Sequence, residues 1–242
     1  MKAMIFAAGL GTRLKPYTET KPKALVELAG KPLLQHCIEN LRKYGFTELV
    51  INVHHFGNQI IEFLEKNHNF GLSISVSDER ECLLDTGGGL KKAAPLLTDS
   101  EPVLICNVDV LTDLNLNTLI EDHKSHNALA TLVVRRRETS RYLLFDDHLS
   151  LRGWTNIKTG EVKESLPLNG EEQQLAFSGV HIVSPAFFNL ITEAGKFSVI
   201  DLYLRLAKEH AIRGYIDNSP FWIDLGKPEE LHRAEELLKA KK

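Results

Sequence analysis

Short apolar runs alternate with stretches of helical spacing through the first 135 residues, and no other feature narrows the fold so far. The runs "KAMIFAA", "ELVINV", "LSISVS", "PVLICNVD" and "ALATLVV" have the length and composition of strands. Between them, "PLLQHCIENLRKYG" opens at Pro32 and closes on Gly45, and "NQIIEFLEKNH" is amphipathic. "GLKKAAPLL" reads as a helix with Pro95 inside it, and "LNTLIEDHKSH" as the helix before the fifth strand. Such alternation predicts an α/β fold: a doubly wound, mainly parallel, Rossmann-like mixed sheet with helices on both faces. The rhythm changes after Arg135. "RYLLFDDHLSLRGWTN" is expected to be a hairpin turning at Asp146 and Asp147, and "QQLAFSGVHIV" a strand. Helical segments around "PAFFNLI" and "VIDLYLRLAKEH" follow, then strands "IRGYIDN" and "FWIDLG", then a helix from Pro228. Residues 1–242 are therefore expected to form one domain, with residues 1–135 as one half and 136–242 as a smaller β-rich lobe at the sheet edge.

Composition supports a single core: 43% of the 242 residues are hydrophobic and 25% charged. A net charge of −3 argues against a general nucleic-acid binder, which needs a basic excess. No run approaches the roughly 20 apolar residues that cross a bilayer, and the first run is too short for a signal peptide. Cys37, Cys82 and Cys106 lack metal-ligand spacing. Cys37 and Cys106 lie in apolar runs, as small buried hydrophobes do. The expected compartment is the cytoplasm, with no membrane or nucleic-acid partner.

Four motifs carry chemistry. "AAGLGTRLKP" leaves the first strand on the edge where open parallel sheets gather ligands. Gly9 and Gly11 allow backbone N–H groups to approach phosphate oxygens, Arg13 adds a forked cation, and Lys23 in "TKPKAL" adds a point charge. The Rossmann fingerprint would place a third glycine or an alanine where Leu14 stands, and no Gly-Lys-Ser/Thr completes a Walker loop. A plain turn bearing solvated basic residues is the simpler alternative. "CNVDV" ends a buried strand on Asp109, and "FWIDLGKPEEL" places Asp224 at another strand end. Two such carboxylates suit Mg2+, which takes oxygen ligands and bridges to phosphates, if the two strand ends meet. Either Asp alone could be a helix cap. "LLDTGGGL" offers bare backbone for a flat group and Thr86 for a base edge, or else a flexible helix entry. His54, His55, Trp154 and Trp222 are expected in loop or packing roles, and Glu229 and Glu230 in the first turn of a helix.

Together, "AAGLGTRLKPYTETKPKALVELAGKPLL", "DTGGGLKKA", "NVDV", "FSGVHIV" and "WIDLGKPEEL" resemble the sugar-1-phosphate nucleotidyltransferases, a family with a GT-A-like fold. The match runs in the family's order from Lys2 to about Leu231. The resemblance implies an enzyme that joins a nucleoside triphosphate to a sugar 1-phosphate and releases pyrophosphate, with Mg2+ as cofactor. Residues 1–135 would hold the nucleotide and 136–242 the sugar. Ala8, Gly9, Gly11, Thr12, Arg13, Lys23, Thr86, Gly88 and Asn107 would bind the nucleotide, and Asp109 and Asp224 the metal. Arg13, Lys23 and Asp109 would be catalytic. Glu161, Lys163, Ser178 and Gly179, within and beside "FSG" from Phe177, would serve the sugar phosphate. Two departures stand out. Val108 precedes Asp109 where relatives carry glycine, and could crowd the ribose, while Asp85 replaces a common Glu.

The compact length, "INVHHFG" and "TGGG" resemble the bacterial N-acetylmuramate-1-phosphate uridylyltransferases of cell-wall recycling, which is the substrate expectation. Mannose-1-phosphate guanylyltransferases share the opening signature, and other uridylyl- or thymidylyltransferases stay open. No hexapeptide repeats follow the last helix. An acidic sugar needs a cation for its carboxylate, and residues 135–141, "RRRETSR", offer several. Two other classes are weighed against this: a silent nucleotide sensor, for which Val108 is the sole hint, and a nicotinamide-dependent oxidoreductase, disfavoured by Leu14 and the basic loop. Oligomeric state is not legible.

Overall fold

Strand β1 (Lys2–Phe6) shows why the parallel half forms: Met4 enters one core while Ala3 and Ile5 enter the other, so both faces must be covered. The structure, a computed structural model, describes residues 1–98 and 101–240, so residues 99–100 and 241–242 of the expected domain lie outside it. After β1 come the short β2 (Glu27–Leu28) and β3 (Lys31–Pro32), helix α1 (Leu33–Lys43), β4 (Glu48–Val53), α2 (Gly57–Lys66) and β5 (Ser73–Asp78). Helix α3 (Asp85–Leu97), β6 (Val103–Asn107), β7 (Val110–Thr112), α4 (Leu116–Ser125) and β8 (Ala130–Arg135) complete the first half. Strands β9 (Arg141–Phe145), β10 (Leu151–Asn156), β11 (Glu161–Glu164) and the eleven-residue β12 (Gln173–Val183) open the second. Helices α5 (Ala186–Asn189) and α6 (Val199–Leu206), strands β13 (Ile212–Ile216) and β14 (Trp222–Asp224), and helix α7 (Pro228–Ala240) follow.

The main sheet has ten strands along the order β11-β10-β9-β12-β6-β1-β4-β5, with β8 on β12 and β13 on β8. Strands β6, β1, β4 and β5 run parallel. β12 enters antiparallel beside β6 through Val180–Val183, and its other end, Gln173–Leu175, pairs with β9. The β-rich second half is thus continuous with the first sheet. One strand long enough to belong to both joins them. The hairpin turns between Phe145 and Leu151, around the two expected aspartates.

Helices α1, α2 and α4 send Leu34, Ile38, Leu41, Ile60, Leu64 and Leu119 into one face of the sheet. Helices α3, α5 and α6 cover the other with Leu90, Ala93, Phe187, Leu202 and Tyr203. Cys37 and Cys106 are buried, as expected of small apolar residues. A third, smaller cluster joins Leu14 to Val26, Leu28 and Leu33 and to Phe221, Ile223, Leu225, Leu231 and Ala234 of the C-terminal segment. This explains the departure at position 14. Leu14 is fully buried, and where a dinucleotide fold would keep a glycine it anchors the loop to β14 and α7. No helix among the described residues is long and apolar enough to cross a membrane.

Candidate active site

A cleft of about 440 Å³ opens beyond the carboxyl ends of β1, β4 and β6. The loop after β1 forms one wall, with Ala8, Gly9, Gly11, Thr12 and Arg13 all lining it. Gly11 holds φ +64°, a left-handed conformation that starts the 3-10 turn Thr12–Leu14. A Cβ there would stand 2.9 Å from Thr18 Cγ2 and 3.1 Å from Lys23 Cβ, so glycine is required twice over. The Gly11 carbonyl accepts from Thr18 Oγ1 at 2.9 Å, which fixes the turn.

Asn52, at the end of β4, holds the root of this loop. Its Oδ1 accepts from the N–H of Ala7 at 2.7 Å and of Ala8 at 3.3 Å, and its Nδ2 donates to Glu79 Oε1 at 2.7 Å. Glu79 Oε2 in turn accepts from the N–H of Leu84 at 3.2 Å, just before α3. One buried relay thereby ties the two loops expected to hold the nucleotide. Neither residue is prominent in the sequence; the one signal is a polar side chain inside the apolar run "LVINV".

The glycine triplet lies inside the first turn of α3 rather than in a loop before it. A Cβ on Gly87 would meet the Phe197 ring at 2.4 Å, on Gly88 the Gly195 carbonyl oxygen at 2.4 Å, and on Gly89 Glu79 Oε1 at 2.6 Å. The triplet lets α3 pack against its neighbours. Gly88 is not among the cleft-lining residues, whereas Leu83, Asp85, Thr86 and Lys196 are. The hydroxyl of Thr86 accepts from the N–H of Val199 at 3.0 Å.

The two strand-end carboxylates meet. Strand β14 pairs antiparallel with β7 so that Asp224 lies opposite Val110, and the N–H of Leu225 donates to the Asp109 carbonyl at 2.8 Å. Lys23 Nζ forms an ion pair with Asp109 Oδ2, with the two side chains only 12% and 13% exposed. Asp224 Oδ1 is buried without a hydrogen-bond partner. Burial, and then the neighbouring Asp109 carboxylate, push the Asp224 carboxyl above its ordinary range, while Lys23 and Arg13 pull it back. A Cβ on Gly226 would reach Asp224 Oδ1 at 2.8 Å and Arg13 Nη2 at 2.9 Å, so Arg13 stands beside the pair. An orphaned carboxylate oxygen next to a second carboxylate fits a hard divalent cation that takes its remaining oxygens from phosphate or water. No three His, Cys, Asp or Glu side chains cluster as a metal site among the described residues.

Val108 is 4% exposed and packs in the second core cluster, although it also lines the cleft. Asn107 lines the cleft too and stands against Gly179, whose Cβ would come within 2.9 Å of Asn107 Nδ2. Gly179 has φ +78° and sits where the β12–β8 register shifts. Ser178 is buried, its hydroxyl donating to the Val133 carbonyl at 2.8 Å and its own carbonyl accepting from Trp222 Nε1 at 3.1 Å. Beyond Asp224 and Arg13 lie two further cavities of about 480 and 620 Å³, and both are lined by Arg13, Arg137 and Asp224. Glu161 and Lys163 line neither. They project from the exposed β11, where Lys163 bonds Asp201 at 2.8 Å and lies 5.3 Å over the Trp154 ring.

The chain matches the family model described as nucleotidyl transferase over residues 2–241. It is 35% identical over 245 residues to the N-acetylmuramate alpha-1-phosphate uridylyltransferase of Neisseria meningitidis serogroup B, covering 98% of each chain. It is 32% identical to mannose-1-phosphate guanyltransferase beta-B of Xenopus laevis, matching 95% of this chain but 62% of that one. Among solved structures, UDP-glucose pyrophosphorylase from Acinetobacter baumanii superimposes with a TM-score of 0.80 at 16% identity, covering 99% of this chain and 93% of that one. At that identity the likeness concerns the fold alone.

Proposed function

The chain belongs to the nucleotidyl transferase family, and we propose that it joins a nucleoside triphosphate to a sugar 1-phosphate, with UTP and N-acetylmuramate 1-phosphate as the preferred pair. One observation carries this reading: Asp109 and Asp224, far apart in sequence, face each other beside Lys23, Arg13 and a glycine loop built for phosphate. A phosphate oxygen of the sugar 1-phosphate attacks the α-phosphorus. The new P–O bond forms as the bond to the β-phosphate oxygen breaks, and pyrophosphate leaves with that electron pair. The nucleophile is already ionised and the charges of substrates and products are equal, so no general base is needed. Catalysis then rests on positioning and charge neutralisation.

The N–H groups of the loop from Ala8 to Thr12 would cradle the β- and γ-phosphates with Arg13. Lys23 would turn from Asp109 to the α-phosphate as the nucleotide enters. Mg2+ held by Asp109 and Asp224 would supply oxygen-binding positive charge for the phosphates. Thr86, Asn107 and Lys196 line the cleft where base and ribose would lie. The substrate pair is supported by the end-to-end match with the Neisseria relative, whereas the guanyltransferase match leaves over a third of that relative uncovered. GTP with mannose 1-phosphate is the second reading. A silent sensor is disfavoured because it has no need to keep two facing carboxylates together with Lys23 and Arg13. No nucleic acid or membrane enters this reading, and the cytoplasm, where nucleoside triphosphates are made, is its natural place.

The test is pyrophosphate release with Mg2+, crossing UTP, GTP, CTP, ATP and dTTP with the 1-phosphates of N-acetylmuramate, mannose, glucose and N-acetylglucosamine. Turnover confined to UTP and N-acetylmuramate 1-phosphate, and lost in Asp109→Ala, is expected. Turnover only with GTP and mannose 1-phosphate would select the second reading, and silence across the panel would sink the enzymatic one.

A further inference from the structure

In the nucleotidyl-transfer reading the cavities beyond Asp224 would receive the sugar phosphate, yet Lys163, the lysine that the sequence suggested for it, projects from the exposed β11 and is engaged with Asp201. The cations that do line these cavities differ in what they already hold. Arg135 is committed to Asp217 Oδ2 at 2.5 Å and to the Ser219 carbonyl at 2.7 Å. Arg136 reaches Gln173 at 3.1 Å, out on the surface. Arg141 is exposed beside the larger cavity, and Lys227 and Arg233 are exposed beside the smaller one only, Arg233 reaching Glu230 at 3.5 Å. Arg13 lines the nucleotide cleft as well and is taken by that substrate in the proposed reading.

Arg137 is different. It lines both cavities together with Asp224. Its guanidinium carbon lies 4.5 Å over the Trp222 ring, within cation–π range. Its hydrogen bonds go to neutral carbonyls, those of Phe177 at 3.1 Å and Glu138 at 3.4 Å, and its Nε is buried with no partner at all. Burial works against its charge, and the carboxylate of Asp224 is the strongest influence in its favour. A half-buried guanidinium seated over an indole, with a donor unspent and Asp224 at its side, is arranged to take an anion that also belongs beside that carboxylate.

We propose that Arg137 binds the phosphate of the sugar 1-phosphate and holds its attacking oxygen beside Asp109 and Asp224. The inference rests on the nucleotidyl-transfer reading above. It makes Arg137 a catalytic residue, because it touches the nucleophile. Trp222 becomes the plate that orients it, and β14 then supplies both the metal carboxylate and the support for the cation facing it.

The indole beneath the guanidinium gives a direct readout. Tryptophan emission is titrated with glucose 1-phosphate, N-acetylmuramate 1-phosphate and the two free sugars, using the full chain and its Arg137→Met and Arg137→Lys variants. Steady-state KM values for each substrate are measured alongside. Arg137→Met is expected to weaken both sugar phosphates by about tenfold or more, the loss typical of a charge-assisted contact. Binding of the free sugars and KM for the nucleotide should change by less than about twofold, and Arg137→Lys should recover part of the loss. A loss confined to the acidic sugar would overturn the proposal, since Arg137 would then be reading the carboxylate. An equal rise in nucleotide KM would also overturn it, as the mark of a packing role through Trp222. So would a variant that binds both sugar phosphates as the parent does. If the parent chain turns over no sugar phosphate but binds one in an Arg137-dependent way, the transfer reading fails and this inference stands. Normal turnover with Arg137-independent binding gives the reverse.

Discussion

Replacing Asn52 by alanine should loosen the nucleotide cleft and destabilise the fold together. Asn52 and Glu79 are 3% and 1% exposed, so their hydrogen bonds have little water to fall back on. The substitution strips the acceptor from the Ala7 and Ala8 N–H groups and the donor from Glu79 Oε1. Each buried polar group left without a partner costs ~1–3 kcal/mol. Taking Ala7 N–H and Glu79 as the two groups fully deprived, the loss is ~2–6 kcal/mol. A chain of this length unfolds with an entropy of ~0.5 kcal/mol per kelvin, so Tm should fall by ~4–12 °C. Thermal unfolding measures the fall, and nucleotide KM should rise because the phosphate loop loses its root. Asn52→Asp sharpens the test. It keeps the acceptor for the loop amides but sets a carboxylate against Glu79, and should be at least as harmful as alanine at neutral pH. A double-mutant cycle with Glu79→Ala should show coupling of ~0.5–3 kcal/mol. A Tm shift below about 2 °C with unchanged nucleotide KM would refute the relay.

Asp224→Asn should abolish turnover yet stabilise the metal-free protein. Asp224 is raised above its ordinary value, so its native state favours the proton, and that contribution is lost as pH rises through the raised pKa. The gain in Tm should therefore be clear at pH 7.5, at about 2 °C for each kcal/mol relieved, and should fade on acidification. Millimolar Mg2+ should raise Tm of the parent chain and leave the variant unmoved, as thermal scans would show. Gly179→Ala must place a Cβ at φ +78°, 2.9 Å from both Asn107 Nδ2 and Val110 Cγ2. It should cost ~1–3 kcal/mol in urea unfolding and raise nucleotide KM through Asn107. Burial lowers His123 to about 4 and His181 to about 3. The unfolded chain takes those protons near 6.5, so this stability is present above about pH 6.5 and drains away as pH falls toward 4 and then 3. Urea midpoints of His181→Phe should fall less steeply than those of the parent between pH 6 and 4.

What could be read from the sequence was whatever local pattern determines. The apolar run "KAMIFAA" is legible as a buried strand, and Gly11 with Arg13 as a candidate loop for anions. Asp109 and Asp224 were each legible as strand-end carboxylates. That they meet was not, because it depends on the β14–β7 pairing, which no local pattern encodes. Leu14 looked like a flaw in a glycine motif until the third core cluster explained it. The glycine triplet was recognised as close-approach backbone, but the group approaching Gly88 is the Gly195 carbonyl. Lys163 has the right chemistry, but its bond to Asp201 and its place over Trp154 are tertiary contacts that the sequence does not reveal. Arg137 could not be separated from its neighbours in "RRRETSR", since only tertiary contacts reveal which of the arginines is already spoken for.

The hydrogen bond from Leu225 to the Asp109 carbonyl also has a meaning in time. The two carboxylates leave the ribosome about a hundred residues apart, a delay on the order of 10 s at roughly 5–20 residues per second. Through that interval the nascent chain carries its glycine loop, Lys23 and Asp109 without Asp224 beside them. The parallel strands β1, β4, β5 and β6 are all made before it, whereas the strand that brings the second carboxylate to the first is the last one synthesised. The cleft wall is thus laid down early and the carboxylate pair closes late.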